Sequence, residues 1–197
     1  MLKRAFDLAV TVVTMPLWLP LMACVALIVR WHLGRPVFFK QARGGLRGCV
    51  IQVLKFRTMT DARGDDGQLL PDARRLTRLG SFLRASSLDE LPGLLNVLRG
   101  DLSLVGPRPL IADYLPLYSA NQARRHEVRP GITGWAQVNG RNALTWERKF
   151  ELDLWYVQNQ SLWLDAKILL MTARKVFARE GINAKGDTTM PRFTGSK

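Results

Sequence analysis

The sequence predicts a mostly helical α+β protein with an apolar N-terminal helix, a small β-hairpin and amphipathic surface helices around one core. Three observations support this: an apolar run over residues 5–29, two β-rich segments joined by glycines, and helical spacing of apolar residues near the C-terminus. With 197 residues, the chain is long enough for one core and too short for two independent ones.

Net charge restricts the partners of this chain. Its 29 Lys and Arg against 16 Asp and Glu give a formal charge of +13, which requires nucleic acid, anionic lipid headgroups or phosphorylated substrates nearby. The two cysteines, Cys24 and Cys49, suggest no disulfide framework and a reducing compartment. With only His32 and His126 and no His/Cys cluster, a structural zinc site is not expected.

The apolar run at 5–29 is a membrane segment. A straight helix of about 25 residues reaches roughly 37 Å, whereas a hydrocarbon core is about 30 Å thick. Pro16 and Pro20 interrupt the run and predict a kink, and the hydroxyls of Thr11 and Thr14 are placed to bond the carbonyls freed there. A cleaved signal peptide is disfavoured by the length of the run.

The topology of this segment stays open at this point, between a spanning helix and a re-entrant one. Basic residues flank both ends, and the positive-inside tendency favours placing both flanks in the cytoplasm, which a spanning helix does not do. These flanking residues are Lys3, Arg4, Arg30, Arg35 and Lys40.

The central part of the chain alternates short elements with glycine-marked turns. Residues 37–39 and 49–56 predict two strands, and Gly44, Gly45 and Gly48 mark the hairpin turn between them. The other segments are an exposed loop at 61–72, a helix at 72–83, a helix at 92–99 that ends at Gly100, and a glycine-rich polar loop at 129–141.

Two amphipathic helices are predicted at 146–158 and 161–179, the second capped by Ser161. The second helix either packs into the core or lies on an anionic membrane surface, and its sequence supports both interpretations equally. Its cations are Lys167, Arg174, Lys175 and Arg179. The polar tail after Gly181 is expected to be mobile.

Asp89 and Glu90 are adjacent carboxylates in a basic chain. One interpretation is purely structural, because Ser87 and Glu90 fit the S-x-x-E capping box of a helix N-terminus. Pro92 argues against a helix that begins at Ser87, since it would lie in the interior of that helix. The other interpretation is a carboxylate nucleophile for phosphoryl groups.

Three cations from separate segments support an anion site around these carboxylates: Lys55, Arg84 and Arg108. Arginine presents a two-pronged fork to phosphate oxygens, and the proline-flanked turn at 106–109 holds Arg108 at low entropic cost. Mg²⁺ shared between a carboxylate and a diphosphate would offset the repulsion between the two anions.

Six motifs together resemble the bacterial sugar transferase family, specifically its small monotopic phosphoglycosyl transferases. The resemblance covers nearly the whole chain, from Lys3 to about residue 190, and is closest to the PglC-type enzymes that begin protein glycosylation with di-N-acetylbacillosamine. The motifs are KFRTM at 55–59, SLDELP at 87–92, NVL at 96–98, GDLS at 100–103, VGPRP at 105–109 and RPGITG at 129–134.

The resemblance implies transfer of a phospho-sugar from a UDP-sugar to undecaprenyl phosphate, with release of UMP through a covalent aspartyl intermediate. Asp89 is then the nucleophile and Glu90 its partner, and both are candidate Mg²⁺ ligands. Residues implied to bind substrate are Lys55, Arg84 and Arg108 for phosphate, and Gln137, Asn139 and Arg141 for the nucleotide-sugar.

The resemblance also implies a re-entrant membrane helix at 1–33, a catalytic domain at 34–185 around which the amphipathic helices lie, and a mobile tail at 186–197. In the family the kink falls at a Ser-Pro pair; here Pro20 matches the proline, Leu19 replaces the serine, and Pro16 shares the kinking role. The implied location is the cytoplasmic face of the bacterial inner membrane, with phospholipid contacts, no nucleic acid and a possible homo-oligomer.

A second hypothesis is a non-catalytic, membrane-tethered basic protein that binds nucleic acid or anionic lipid. It rests on net charge and amphipathic helices alone, since the sequence contains no recognisable nucleic-acid motif.

Overall fold

The computed structural model describes residues 1–140, 144–178 and 192–195, which form a mostly helical α+β domain with two small sheets. The helices are α1 (Leu2–Val13), α2 (Met15–Leu33), α3 (Asp72–Arg75), α4 (Arg78–Ala85), α5 (Gly93–Arg99), α6 (Ala120–Ala123), α7 (Trp135–Val138), α8 (Trp146–Gln158) and α9 (Leu162–Ala178). The strands are β1 (Phe38–Gly44), β2 (Val50–Phe56), β3 (Ser103–Val105) and β4 (Gly131–Thr133).

The apolar N-terminal run forms two helices that meet at Thr14. Pro16 lies in the first turn of α2, where its missing N–H is tolerated, whereas Pro20 lies inside α2 without ending it. The helix break therefore coincides with Pro16 and not with Pro20, which the sequence had favoured. As expected, hydroxyls bond carbonyls near the break: Thr14 Oγ1 donates to Val10 O at 2.7 Å.

One face of α2 packs against the domain, and the opposite face is apolar and exposed. The buried face follows helical spacing and contacts Phe56 and Leu83 in a shared core cluster. Its residues are Trp18, Met22, Val25 and Val29. By length and composition alone, α2 could cross a membrane. The exposed face carries Leu17, Leu21, Leu27, Ile28 and Trp31.

The predicted hairpin is confirmed. Strands β1 and β2 pair antiparallel from Phe38 opposite Phe56 to Gly44 opposite Val50, and a 3₁₀ turn at Leu46–Gly48 joins them. Because side chains alternate along a strand, the odd-numbered residues of β1 share one face.

A second sheet was missed, because each of its strands has only three residues and shows no readable period. Strands β3 and β4 pair parallel, with Ser103 opposite Gly131 and Val105 opposite Thr133. The sheet needs a glycine at its edge, since a Cβ on Gly106 would lie 2.3 Å from the carbonyl oxygen of Arg129. The segment at 129–141, expected to be a loop, therefore contains β4 and α7.

The expected helix at 72–83 is divided into α3 and α4, because Thr77 caps α4 by accepting from the Gly80 amide at 2.9 Å. Helix α8 has the predicted bounds, and α9 follows the predicted cap at Ser161, whose Oγ accepts from the Leu164 amide. Leu164 and Ile168 of α9 are buried in the main core, so this helix packs into the domain.

Part of the C-terminal tail packs against the domain. Phe193 is buried among aromatic rings, and its amide donates to Tyr114 Oη at 3.1 Å. The tail at 186–197 was predicted to be mobile, and residues 186–191, 196 and 197 of it lie outside the described residues. The surrounding rings are those of Tyr114, Tyr118, Trp146 and Phe150.

Buried polar groups attach α1 to the domain. Lys3 Nζ lies 2.7 Å from Oδ2 of the fully buried Asp165, whose Oδ1 accepts from Tyr156 Oη at 2.6 Å. Asp7, also buried, accepts from Ser103 Oγ at 2.8 Å. Because each buried charge has a partner, these contacts fix the position of α1 against α9 and β3.

The first prediction concerns this attachment. Asp165→Ala removes the nearest carboxylate of Lys3 and one of the two acceptors of Tyr156, and we expect a loss of about 3–5 kcal/mol in the free energy of unfolding. Chemical denaturation in detergent micelles, followed by tryptophan fluorescence, measures it. Glu151→Ala is the control, because Glu151 pairs with Arg148 at the same 2.7 Å but in solvent, where a pair contributes less than about 1 kcal/mol. Equal losses in both variants would contradict the prediction.

Candidate active site

A cavity of about 980 Å³ opens between the hairpin, α4, the loop after β3 and α8. Eight cationic side chains and five carboxylates line it, so its wall carries a positive excess suited to a multiply charged anion. The cations are Arg43, Lys55, Arg57, Arg75, Arg84, Arg108, Arg125 and Lys149; the carboxylates are Asp61, Asp72, Asp89, Glu90 and Asp153.

Asp89 and Glu90 lie on a 3₁₀ turn, Leu88–Glu90, that faces this cavity. Ser87 before them has φ of 57°, in the left-handed region, and its side chain makes no capping hydrogen bond to the turn. The capping-box interpretation is therefore wrong, because an N-cap residue needs an extended backbone. A left-handed serine costs roughly 1–2 kcal/mol relative to the right-handed conformation.

Glu90 is held by two cations. Its Oε1 lies 2.7 Å from Lys55 Nζ, and both of its oxygens accept from the Arg108 guanidinium. Burial alone would raise the pKa of Glu90, but Arg108 and Lys55 outweigh burial and hold that pKa well below its ordinary value. Glu90 is therefore ionised at neutral pH and fixes the positions of Lys55 and Arg108.

Asp89 is free to react. Among the described residues, no group hydrogen-bonds its carboxylate or lies within ion-pair distance of it, although it is largely buried and lines the cavity. Burial raises the pKa of Asp89, and the adjacent negative charge of Glu90 raises it further, against the opposing effect of Lys55, Arg108 and Arg84. A buried carboxylate without a partner is poised to bond an incoming electrophile or cation.

Two further arginines in the cavity have no carboxylate partner within the described ranges. Arg84 donates from Nε to Thr58 Oγ1 at 3.1 Å, and Arg43 donates to Pro109 O at 3.0 Å. Burial, and then the nearby Arg108, lower the pKa of Arg43 to about 10, so it remains protonated at neutral pH. Their charge is available to a ligand.

Arg125 and Asp153 form a buried ion pair that sequence reasoning missed. Arg125 Nη2 lies 2.6 Å from Asp153 Oδ2 and also donates to the carbonyl oxygen of Arg108 at 2.8 Å. The pair therefore positions the loop that carries Arg108. No local sequence pattern predicts this ion pair, because its partners lie on separate elements 28 residues apart.

The structure brings together Lys55, Arg84 and Arg108, as predicted, from β2, α4 and the loop after β3. Gln137 also lines the cavity, donating from Nε2 to Ile132 O, while its buried Oε1 has no partner in the described part of the chain. Asn139 does not line it; its amide donates to Trp135 O instead. Arg141 lies outside the described residues.

No group of three or more His, Cys, Asp or Glu side chains is suitable for a metal within the described ranges. Mg²⁺ is commonly bound by one or two carboxylates together with substrate phosphates and water, and the open carboxylate of Asp89 fits that mode.

An open carboxylate in a cationic cavity, next to an apolar helix, defines a class of enzyme that acts on phosphate-bearing substrates. The sequence profile described as Bacterial sugar transferase matches residues 1–179, and the chain belongs to this family. It is accordingly an enzyme of the phosphoglycosyl transferase class.

Three relatives illustrate the similarity. The uncharacterised sugar transferase EpsL of Bacillus subtilis is 58% identical over 99% of this chain and 96% of its own length. The UDP-glucose:undecaprenyl-phosphate glucose-1-phosphate transferase of Escherichia coli is 40% identical over 91% of this chain and 41% of its own. The UDP-galactose-lipid carrier transferase of Erwinia amylovora is 39% identical, also over 91% and 41%. This chain therefore spans about two fifths of the length of the Escherichia coli and Erwinia amylovora relatives.

These relatives support the family but not the narrower PglC type. The named sugars are glucose and galactose, so the expected di-N-acetylbacillosamine is not supported.

The second prediction concerns the two neighbouring carboxylates, Asp89 and Glu90, whose pKa values are shifted in opposite directions. The pKa of Glu90 is lower in the folded protein than in the unfolded chain, so its ionised form stabilises the fold at any pH above the unfolded pKa. Glu90→Gln should therefore lower the free energy of unfolding at pH 7. The difference from wild type should shrink as the pH falls below about 4.5. The raised pKa of Asp89 makes its ionised form unfavourable, so Asp89→Asn should maintain or raise stability at pH 7.

Thermal unfolding of both variants in detergent, between about pH 2 and pH 8 in steps of about one unit, measures these signs. Each variant removes one charge from the same turn, so each serves as the control for the other. If both variants lost the same stability, the conclusion that Glu90 is ion-paired and Asp89 is not would be contradicted.

Proposed function

We propose that this protein transfers a sugar phosphate from a UDP-sugar to undecaprenyl phosphate and releases UMP. The sugar is glucose or galactose, as in the names of the relatives. The observation that carries the proposal is the Asp89 carboxylate, open to a cationic cavity while Glu90 holds Lys55 and Arg108 in place.

In the first half-reaction, an oxygen of Asp89 attacks the phosphorus that carries the sugar. A bond forms between this oxygen and phosphorus, and the bond from phosphorus to the bridging oxygen breaks. UMP leaves with that oxygen and its electron pair. No proton is transferred, since both the attacking and the departing oxygens are anionic.

In the second half-reaction, a phosphate oxygen of undecaprenyl phosphate attacks the same phosphorus. The bond to Asp89 breaks, the carboxylate is restored, and the product is a sugar linked to undecaprenyl diphosphate. The two substrates use the cavity in turn, so one set of phosphate-binding cations serves both.

The cations of the cavity support this scheme by offsetting the charge of the substrates. Arg84 and Arg43 have no carboxylate partner within the described ranges and can bind phosphate oxygens directly. On the opposite wall, Lys149 and Gln137 supply polar groups for the nucleotide or sugar. Burial, and then Arg108, lower the pKa of Lys149 to about 8, so Lys149 still carries its charge at neutral pH.

The proposed location is the cytoplasmic face of the bacterial inner membrane, with the α1–α2 unit inserted as a re-entrant helix. Three features support this: the break next to Pro16, the exposed apolar face of α2, and basic residues on both flanks. In this arrangement the cavity lies next to the lipid, where the acceptor's headgroup is found.

Mg²⁺ is the proposed cofactor, held by Asp89 together with phosphate oxygens of the donor and with Glu90 adjacent. When bound, it would neutralise charge on the donor diphosphate and stabilise the leaving phosphate. Because Glu90 is engaged by two cations, the protein alone offers few ligands, and strong binding should require the donor.

The third prediction concerns the nucleophile. Asp89→Asn should abolish UMP release from UDP-glucose, since an amide oxygen is a poor nucleophile and cannot form the acyl phosphate. Wild-type protein incubated with UDP-glucose alone should gain the mass of a glucose phosphate on Asp89, detected by mass spectrometry. Asp113→Asn is the control, because Asp113 is an exposed aspartate outside the cavity.

Two results would contradict the proposal. Wild-type UMP release by Asp89→Asn would remove Asp89 from the reaction. Absence of UMP release by the native protein, together with salt-sensitive binding of polynucleotides or anionic vesicles, would favour a non-catalytic basic protein instead.

The fourth prediction concerns the metal. EDTA should eliminate UMP release, and added Mg²⁺ should restore it. In the absence of UDP-glucose, EDTA should leave the melting temperature unchanged, whereas UDP-glucose and Mg²⁺ together should raise it more than either alone. Full UMP release in EDTA would exclude a required metal.

A further inference from the structure

Three exposed phenylalanines line the active-site cavity. Phe38 and Phe39 come from β1 and Phe82 from α4, and their exposed fractions are 39%, 49% and 55%. We call these three residues the apolar lip. All three line the same cavity as Asp89, whereas exposed apolar residues such as Val50 and Trp163 do not.

The apolar lip is attached to the end of α2. Arg57, next to β2, donates to the carbonyl oxygens of Leu33 and Arg35 at 3.2 and 3.1 Å. Leu79 and Leu83 of α4 pack in the same cluster as Val29 of α2. The elements that carry the lip and the C-terminal end of α2 are therefore packed together.

A cation lies beside the lip on the same helix. Arg84 is two residues from Phe82, lines the cavity, and has no carboxylate partner within the described ranges. Helix α4 thus contributes both an apolar ring and an available guanidinium to the lining of this cavity. This combination is complementary to a phosphate attached directly to a hydrocarbon chain.

From this arrangement we infer that the apolar lip binds the first isoprene units of the polyprenyl acceptor, and that the chain leaves the cavity between β1 and α4 toward the lipid. The inference rests on the proposed function and names the route by which its acceptor enters. Only the acceptor carries a hydrocarbon chain on the phosphate that must reach Asp89, whereas the donor's one flat apolar group, its uracil, is separated from the reacting phosphorus by a second phosphate and the ribose.

The test compares the two substrates of the reaction. Phe82→Ser and Phe39→Ser should each raise the KM for undecaprenyl phosphate about tenfold, from the lost burial of a phenyl ring. The KM for UDP-glucose, and the amount of UMP released per enzyme without acceptor, should stay at wild-type values. Phe82→Leu should restore most of the acceptor affinity, because the contact requires apolar area and not an aromatic ring.

Two controls separate acceptor binding from general membrane contact. Val50→Ser alters an exposed residue of the same hairpin, and Trp163→Ser alters one of α9 that is 80% exposed; neither residue lines the cavity. Both should leave the acceptor KM unchanged. All variants should float equally well with vesicles of phosphatidylethanolamine and phosphatidylglycerol.

Three results would overturn the inference: an unchanged acceptor KM in Phe82→Ser and Phe39→Ser, equal increases in the KM for both substrates, or the same acceptor defect in Val50→Ser or Trp163→Ser. The last would make the phenyl rings part of a general membrane contact. Failure of the proposed function itself looks different, since the wild-type protein would then release no UMP from UDP-glucose.

Discussion

The bridge from Lys55 through Glu90 to Arg108 is the interaction on which the active site depends. It joins β2, the 3₁₀ turn and the loop after β3 through one carboxylate. If Asp89 accepted these two cations instead, its oxygens would be engaged and its nucleophilicity reduced. Because Glu90 pairs with them, the two cations stay at the cavity wall and Asp89 remains open. Two adjacent carboxylates thereby acquire different roles from their surroundings alone.

A second layer of buried charge supports this bridge. The Arg125–Asp153 pair holds the carbonyl oxygen of Arg108, so the guanidinium that contacts Glu90 belongs to a loop fixed from behind. Arginine is suited to this position because one planar group reaches two acceptors at once. A phosphate site must keep its cations in place when it is empty, and here protein carboxylates and carbonyls do so.

The sequence predicted the parts of the site that short motifs encode. The convergence of Lys55, Arg84 and Arg108 on the two adjacent carboxylates follows from motif order, and the hairpin follows from its glycines. The backbone at Ser87 could not be predicted, because serine has no intrinsic preference for the left-handed conformation that it adopts here. Long-range partners such as Arg125 and Asp153 also leave no local signal. Arg43 could have been predicted as a cavity residue from the alternation along β1, since it shares a strand face with Phe39 and Gln41. All three line the cavity.

The N-terminal helices connect the chemistry to the lipid. Lys3 and Asp7 fix α1 through Asp165 and Ser103, and α2 packs along one face against the domain core. Arg57 then ties the end of α2 to the cavity wall. These contacts make the apolar helix and the cavity one packed unit, so the depth of α2 in a membrane would set the height of Asp89 above the hydrocarbon. In the proposed reaction, an acceptor whose phosphate lies at the headgroup level can then reach Asp89 while its hydrocarbon chain stays in the lipid. No further part of the protein has to extract the acceptor from the bilayer.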